Sequence, residues 1–252
     1  MNPALSDISD FIDALLDIKN VADWPNALNG LQLANRGRVS KIAAAVDAGE
    51  PTVREAAAEG IDLLLVHHGL FWPGLQPLTG AHFRKIAGAI RSDLAIYSAH
   101  LPLDIHPTLG NNALLAKALN LTNPQPFFFE KGRFIGLKST VSLPLDDLIA
   151  SVEKAIAGPV KVIRGGPEKT ASIGVVTGGA GAEIHKAALE GVDTFITGEG
   201  PHWAAIAAEE LGVNLLLAGH YATETFGVKA LAARVAEKFG LPWQFIDHPT
   251  GL

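Results

Sequence analysis

The chain has 252 residues, 48% of them hydrophobic, a formal net charge of −6 and no cysteine. That length and apolar content suffice for one large core or two modest ones. The missing cysteines exclude disulfides, thiolate ligands and a cysteine nucleophile. The 20 Lys and Arg residues are scattered, so no basic stripe awaits a nucleic-acid backbone. No basic segment precedes an apolar stretch at the start, and the apolar runs are broken by Asp62, His67 and Gly69. A cytoplasmic protein without a membrane span or a nucleic-acid partner is therefore expected.

The first element is an amphipathic helix with Leu5, Ile8, Phe11, Ile12, Leu15 and Leu16 on one stripe. Short apolar runs at 41–46, 61–66 and 94–99 then alternate with helical patterns at 52–59, 81–91 and 111–119. The segment 123–133, rich in Pro and Phe, interrupts this alternation ahead of an extended stretch at 134–142. A second series follows, with strands at 172–176, 192–197, 213–218 and 243–246, and helices at 182–190, 202–211 and 225–239. Continuous apolar strands predict an α/β fold of mainly parallel sheets covered on both faces. The expected organisation is a first α/β half at 1–123, a linker at 124–132 and a second α/β half at 133–252.

The two series resemble each other. Ala58-Glu59-Gly60-Ile61-Asp62-Leu63-Leu64-Leu65-Val66-His67-His68-Gly69 aligns without gaps to Leu189-Glu190-Gly191-Val192-Asp193-Thr194-Phe195-Ile196-Thr197-Gly198-Glu199-Gly200, an offset of 198 − 67 = 131. His100-x-x-x-Asp104 likewise echoes His220-x-x-x-Glu224 at 220 − 100 = 120. Glu-Gly-hydrophobe-Asp is an ordinary helix-to-strand turn on its own. Two such pairs in the same order, each at the carboxyl end of a strand, point to an internal duplication. A pseudo-two-fold arrangement would bring the strand ends over one crevice, where open α/β sheets bind ligands.

His67 and His68 stand where an apolar strand stops. Neighbours on a strand face opposite sides, so two adjacent imidazoles address one place only at a strand end or kink. Alone, the pair also fits one His capping the sheet and the other solvated. His100-x-x-x-Asp104 and His220-x-x-x-Glu224 add the imidazole and carboxylate mixture that suits Zn, Mn, Fe or Ni. Each carboxylate equally fits the positive end of a following helix.

Together Asn29-Gly30-Leu31-Gln32, Val66-His67-His68-Gly69, Ala99-His100-Leu101-Pro102-Leu103-Asp104, Gly110-Asn111-Asn112, Thr197-Gly198-Glu199 and Gly219-His220-Tyr221-Ala222-Thr223-Glu224 make the chain resemble the NIF-three-like family, also called GTP cyclohydrolase I type 2 homologues. The resemblance runs over nearly the whole chain. It implies two divalent cations per chain, of Fe, Zn, Mn or Ni, held by His67, His68, Asp104, His220 and Glu224. It also implies a homohexamer. His100, which leads its motif, and Glu199, which stands where the duplication places His68, are candidate catalytic residues beside the metals. Tyr221 replaces what is often a second His in relatives, and the Asp-rich turn common ahead of Asn29-Gly30 is Trp24-Pro25-Asn26-Ala27-Leu28 here.

Two classes of function follow. One is a metal-dependent, cyclohydrolase-like hydrolase, in which a water between two cations attacks an electron-poor carbon or phosphorus of a small molecule such as a nucleotide. The other is a metal-binding, metal-delivery or regulatory oligomer without turnover. Gly178-Gly179-Ala180-Gly181 offers a weak phosphate-cradle pattern.

Overall fold

The computed structural model describes residues 2–252. In chain order the elements are α1 (Leu5–Leu15), β1 (Gly30–Leu33), β2 (Ile42–Asp47), α2 (Glu50–Ala58), β3 (Leu63–His68), α3 (Gly80–Arg91), β4 (Ala95–Ser98), α4 (Leu101–Asp104), α5 (Asn111–Ala118), β5 (Gln125–Glu130) and β6 (Arg133–Pro144). They continue with α6 (Leu145–Ile156), β7 (Lys161–Arg164), β8 (Lys169–Val175), α7 (Ile184–Leu189), β9 (Thr194–Thr197), α8 (His202–Leu211), β10 (Asn214–Leu217), α9 (His220–Phe239) and β11 (Trp243–Phe245). The fold is α/β with two sheets.

Chain contacts divide the protein into two compact units that do not follow sequence order. One comprises Met1–Leu103 with Gly227–His248, the other Asp104–Phe226 with Pro249–Leu252. In the first unit the sheet order is β1-β4-β3-β2-β11, with β1 antiparallel to β4 and every other pairing parallel. Every residue of β3 and β4 is buried, which is why these strands read as unbroken apolar runs. Strand β11 follows the second series in sequence, yet it pairs with β2. On α1, Leu5, Ile8 and Ile12 form the buried stripe that the spacing predicted.

The second unit's sheet runs β5-β6-β8-β9-β10-β7. Its centre, β8-β9-β10, is parallel, while β5, β6 and β7 add antiparallel pairings. The Pro- and Phe-rich segment 124–132 holds β5. Phe128 adopts φ 65 and is left out of the pairing between Phe127↔Gly136 and Phe129↔Phe134 with no change of register; its N–H donates instead to Glu190 Oε2 at 3.1 Å, and its ring is buried.

The two related halves share more than a pattern. Gly60 and Gly191 end α2 and α7 with φ 64 and 78. Two residues later Asp62 Oδ2 accepts the Ser40 and Lys41 N–H groups at 2.6 and 3.1 Å, and Asp193 Oδ2 accepts those of Ala171 and Ser172 at 2.8 and 3.0 Å. Each aspartate thus ties the start of one strand to the next, which explains the repeated Glu-Gly-hydrophobe-Asp. The repeat slips once. Equivalent backbone bonds, Ala99 N–H to Val66 O and Ala218 N–H to Thr197 O, give an offset of 218 − 99 = 119, whereas the histidine motifs are 120 apart. The additional residue is Gly219, at φ 87.

Charge-assisted hydrogen bonds of this kind are worth about 1.5–3 kcal/mol. Asp193→Ala is expected to lower the thermal midpoint by roughly 4–8 °C. An unchanged midpoint in differential scanning calorimetry would contradict this role.

Candidate functional site

In the first unit β3 delivers His67 and His68, and the turn after β4 delivers His100. All three are buried, at 0%, 6% and 7% exposure. Ring centroids lie 4.9 Å apart for His67 and His68, 4.8 Å for His67 and His100, and 5.6 Å for His68 and His100. One ligand atom from each falls within 4.8 Å of the others, so the trio could hold a metal ion.

Each ring is held from behind. His67 Nδ1 lies 2.9 Å from Ala99 O, a group that only accepts, so Nδ1 donates and the neutral ring carries its lone pair on Nε2. His68 Nδ1 faces Asp47 Oδ1 at 2.9 Å, and His100 Nδ1 faces Asp23 Oδ1 at 3.0 Å. Burial works against the Asp23 charge. Hydrogen bonds and attraction from His100, with further bonds from Asn29 and the Trp24 N–H, outweigh it and keep the carboxyl below its ordinary range.

The Asn29-Gly30-Leu31-Gln32 motif braces this trio. Asn29 Oδ1 accepts the His100 N–H at 2.7 Å, and its Nδ2 donates to Asp23 Oδ2 at 2.8 Å. Gln32 Nε2 donates to Ala27 O and Leu28 O at 3.1 and 2.9 Å, while its Oε1 accepts the Leu70 N–H at 2.7 Å. A Cβ on Gly69 would come within 2.6 Å of that amide, which is why Gly follows the His pair. Two indoles border the trio. Trp72 lies 4.6 Å from the His68 ring and 4.5 Å from the His100 ring, and Trp24 meets His100 edge-on at 5.7 Å.

In the second unit Asp104, 7% exposed, receives a hydrogen bond from Asn111 Nδ2 at 2.8 Å, and Asn112 bridges Ile135 O and the Thr177 N–H at 2.8 Å each. Asn111 therefore aims that carboxylate, while Asn112 ties the neighbouring backbone of Asp104, Ile135 and Thr177 together. Asp104 also contributes to the wall of a cavity of about 730 Å³ that includes Asn112, Lys117, Ile135 and Leu137. Helix α9 starts at His220, five residues earlier than its sequence pattern suggested, which puts His220 and Glu224 one turn apart. His220 Nδ1 lies 2.9 Å from Glu199 Oε1, and its Nε2 lies 3.2 Å from Glu224 Oε1.

The glycine-rich loop serves this acidic cluster rather than a phosphate. Its N–H groups at Gly178, Ala180 and Gly181 already donate to Thr223 Oγ1, Thr197 Oγ1 and Glu199 O. A Cβ on Gly178, at φ 73, would sit 2.4 Å from Glu224 Oε1. Gly198, the counterpart of His67, has no room either, since a Cβ there would lie 2.6 Å from Gly178 O and from His220 Cα. The second half thus cannot repeat the imidazole trio.

Sequence reasoning missed Asp23, Asp47 and Glu199's bond to His220. Asp47 was within reach, because it ends the apolar run of β2 as His67 ends that of β3, whereas Asp23 lies in a loop without periodicity. Burial pulls the His220 pKa down, but the hydrogen bonds and charges of Glu224 and Glu199 overcome it and raise it to about 9. In the metal-free protein protonated His220 therefore stabilises the fold fully below the ordinary value near 6.5 and loses that contribution as pH rises through about 9. An NMR titration of the His220 ring should give a midpoint near 9, and one near 6.5 would contradict the pairing.

The chain matches the family model described as Duf34/NIF3 (NGG1p interacting factor 3) over residues 3–250. A GTP cyclohydrolase 1 type 2 homolog of Deinococcus radiodurans is 46% identical over 90% of this chain and 87% of its own, and one of Halobacterium salinarum is 43% identical over 98% and 100%. The crystal structure of TTHA1606 from Thermus thermophilus superposes with a TM-score of 0.90 at 38% identity, covering all of both chains. With the motifs in place and a match along almost its whole length, the chain belongs to the DUF34/NIF3 family.

Proposed function

We propose that this protein is a metal-dependent hydrolase whose two divalent cations are held by His67, His68, Asp104, His220 and Glu224. The observation that carries the reading is the backing of the imidazoles. His67, His68, His100 and His220 each have Nδ1 against a carbonyl or carboxylate oxygen, the arrangement by which proteins fix the tautomer and orientation of metal-binding histidines. Buried His and Glu side chains that could hold an ion fit the same reading.

Fe, Zn, Mn or Ni would each suit a set of imidazole and carboxylate donors. Two such cations would supply Lewis acidity and would make a water bound there more acidic. The chain's own residues do the rest. Asn111 and Thr223, through its bond to the Gly178 N–H, keep the acidic donors and the adjoining loop in place. His100, backed by Asp23, moves a proton at Nε2 beside the cations, and Glu199 does so at its carboxylate while orienting His220.

The curated relatives' name points to a nucleotide as substrate class, and GTP is the compound to try first. The proposal extends to a cytoplasmic homohexamer. No helix among the described residues is long and apolar enough to cross a membrane.

Elemental analysis of the purified protein should find two cations per chain, and His67→Ala with Asp104→Ala should strip them while the helical signal persists. Unchanged metal in that variant contradicts the ligand set. Hydrolysis of GTP or a related nucleotide should stop with chelator, and His100→Asn should keep both metals while losing about 10²–10⁴-fold in rate. Full metal occupancy with no turnover across a panel of nucleotides and phosphoesters would instead favour a metal carrier.

A further inference from the structure

Trp24 and Trp72 are the part of the first unit that metal binding leaves without a task. Both touch His100, and Trp72 also lies against His68. Trp24 keeps 40% of its surface exposed and Trp72 is half-buried. Single exposed apolar residues are ordinary on a protein surface. These two differ in being placed and held.

The Trp24 N–H donates to Asp23 Oδ1 at 2.7 Å, so the carboxylate that backs His100 also fixes the backbone carrying the indole. Gln32 then ties the loop after Trp24, through Ala27 O and Leu28 O, to Leu70, two residues before Trp72. Gly69 contributes by having no side chain, since any Cβ would collide with the Gln32 amide. One buried carboxylate and one amide thus hold two indoles and an imidazole as a single rigid group. Preorganised aromatic side chains of this kind supply affinity because little ordering remains to be done when a ligand arrives.

We infer that Trp24 and Trp72 form a stacking platform for a flat heteroaromatic ring, a nucleobase or a ring of that class, presented to the reacting centre at His100. The inference rests on His100 standing beside that centre, as proposed above. An indole face takes any planar π system at centroid separations of about 4.5–7 Å, the range already used here between the indoles and the imidazoles. Ring stacking is tolerant of ring identity and does not read a sugar or a phosphate. The platform therefore selects for a flat ring and leaves the choice among rings to other groups.

The test follows tryptophan emission in the full-length, metal-loaded protein, with Trp203→Phe and Trp243→Phe removing the other two indoles. Guanosine 5′-monophosphate should quench the emission saturably, and ribose 5-phosphate should not. Trp24→Ala and Trp72→Leu should each weaken guanosine monophosphate binding roughly tenfold, while Trp24→Phe and Trp72→Phe restore most of it.

Equal responses to the two probes, or full affinity in the Ala and Leu variants, overturn the platform. So does failure of acrylamide to quench Trp24 in the assembled protein, which would mean that a second copy covers it. Should Trp72→Leu disturb His68 and lose metal, Trp24→Ala decides alone, because its ring contact is with His100. Metal content measured on the same samples separates the two readings. Metal without ring-dependent quenching sinks only the platform, and quenching in a chain that never binds metal sinks only the hydrolase.

Discussion

The candidate site depends on a hydrogen bond made on the far side of each imidazole. A neutral histidine has one donor and one acceptor nitrogen, and the partner of the first determines where the second points. Ala99 O settles this for His67, because a backbone carbonyl can only accept. Asp47, Asp23 and Glu199 face His68, His100 and His220 with carboxylates, which add charge to the same geometry and make the rings better donors. These acceptors sit at strand ends or in braced loops, so the parallel strands matter here chiefly because they stop in the right places.

The duplication explains both what the halves share and where they part. Asp62 and Asp193 do the same work at the same point of each repeat, and Gly60 and Gly191 open the way to them. The divergence is steric. His67 becomes Gly198 because the backbone at Gly178 and His220 has closed over the position, and one additional residue, Gly219, shifts the second histidine to the head of α9. One half consequently carries three imidazoles backed by acceptors, and the other carries a histidine among carboxylates.

Much of this was legible in the sequence. The parallel strands β2, β3, β4, β9 and β10 are buried almost throughout and β8 is buried over Ile173–Val175, so their apolar runs announced them, and α8 matched its pattern residue for residue. Other elements were not. Strand β7 is a short, partly exposed edge strand whose pairing with β10 depends on a contact distant in sequence. The partner of β11 and the positive φ at Phe128, whose N–H donates to Glu190, depend on contacts distant in sequence in the same way. The His and carboxylate candidates stood out by spacing, whereas Asp23 and the double bridge made by Gln32 could emerge only once the loops were placed. Asn29-Gly30-Leu31-Gln32 stood out only as a motif, and its work, Asn29 holding the His100 N–H and Gln32 joining Leu28 to Leu70, became visible only in the fold.

The most direct test of the account is the tautomer of the rings themselves. Long-range proton–nitrogen correlations of the histidines in metal-free protein, at mildly alkaline pH, should show Nδ1 protonated and Nε2 bearing the lone pair for His67, His68 and His100. Nε2 protonated in any of the three would mean that the backing bonds do not aim the ring, and the metal site built on them would fall.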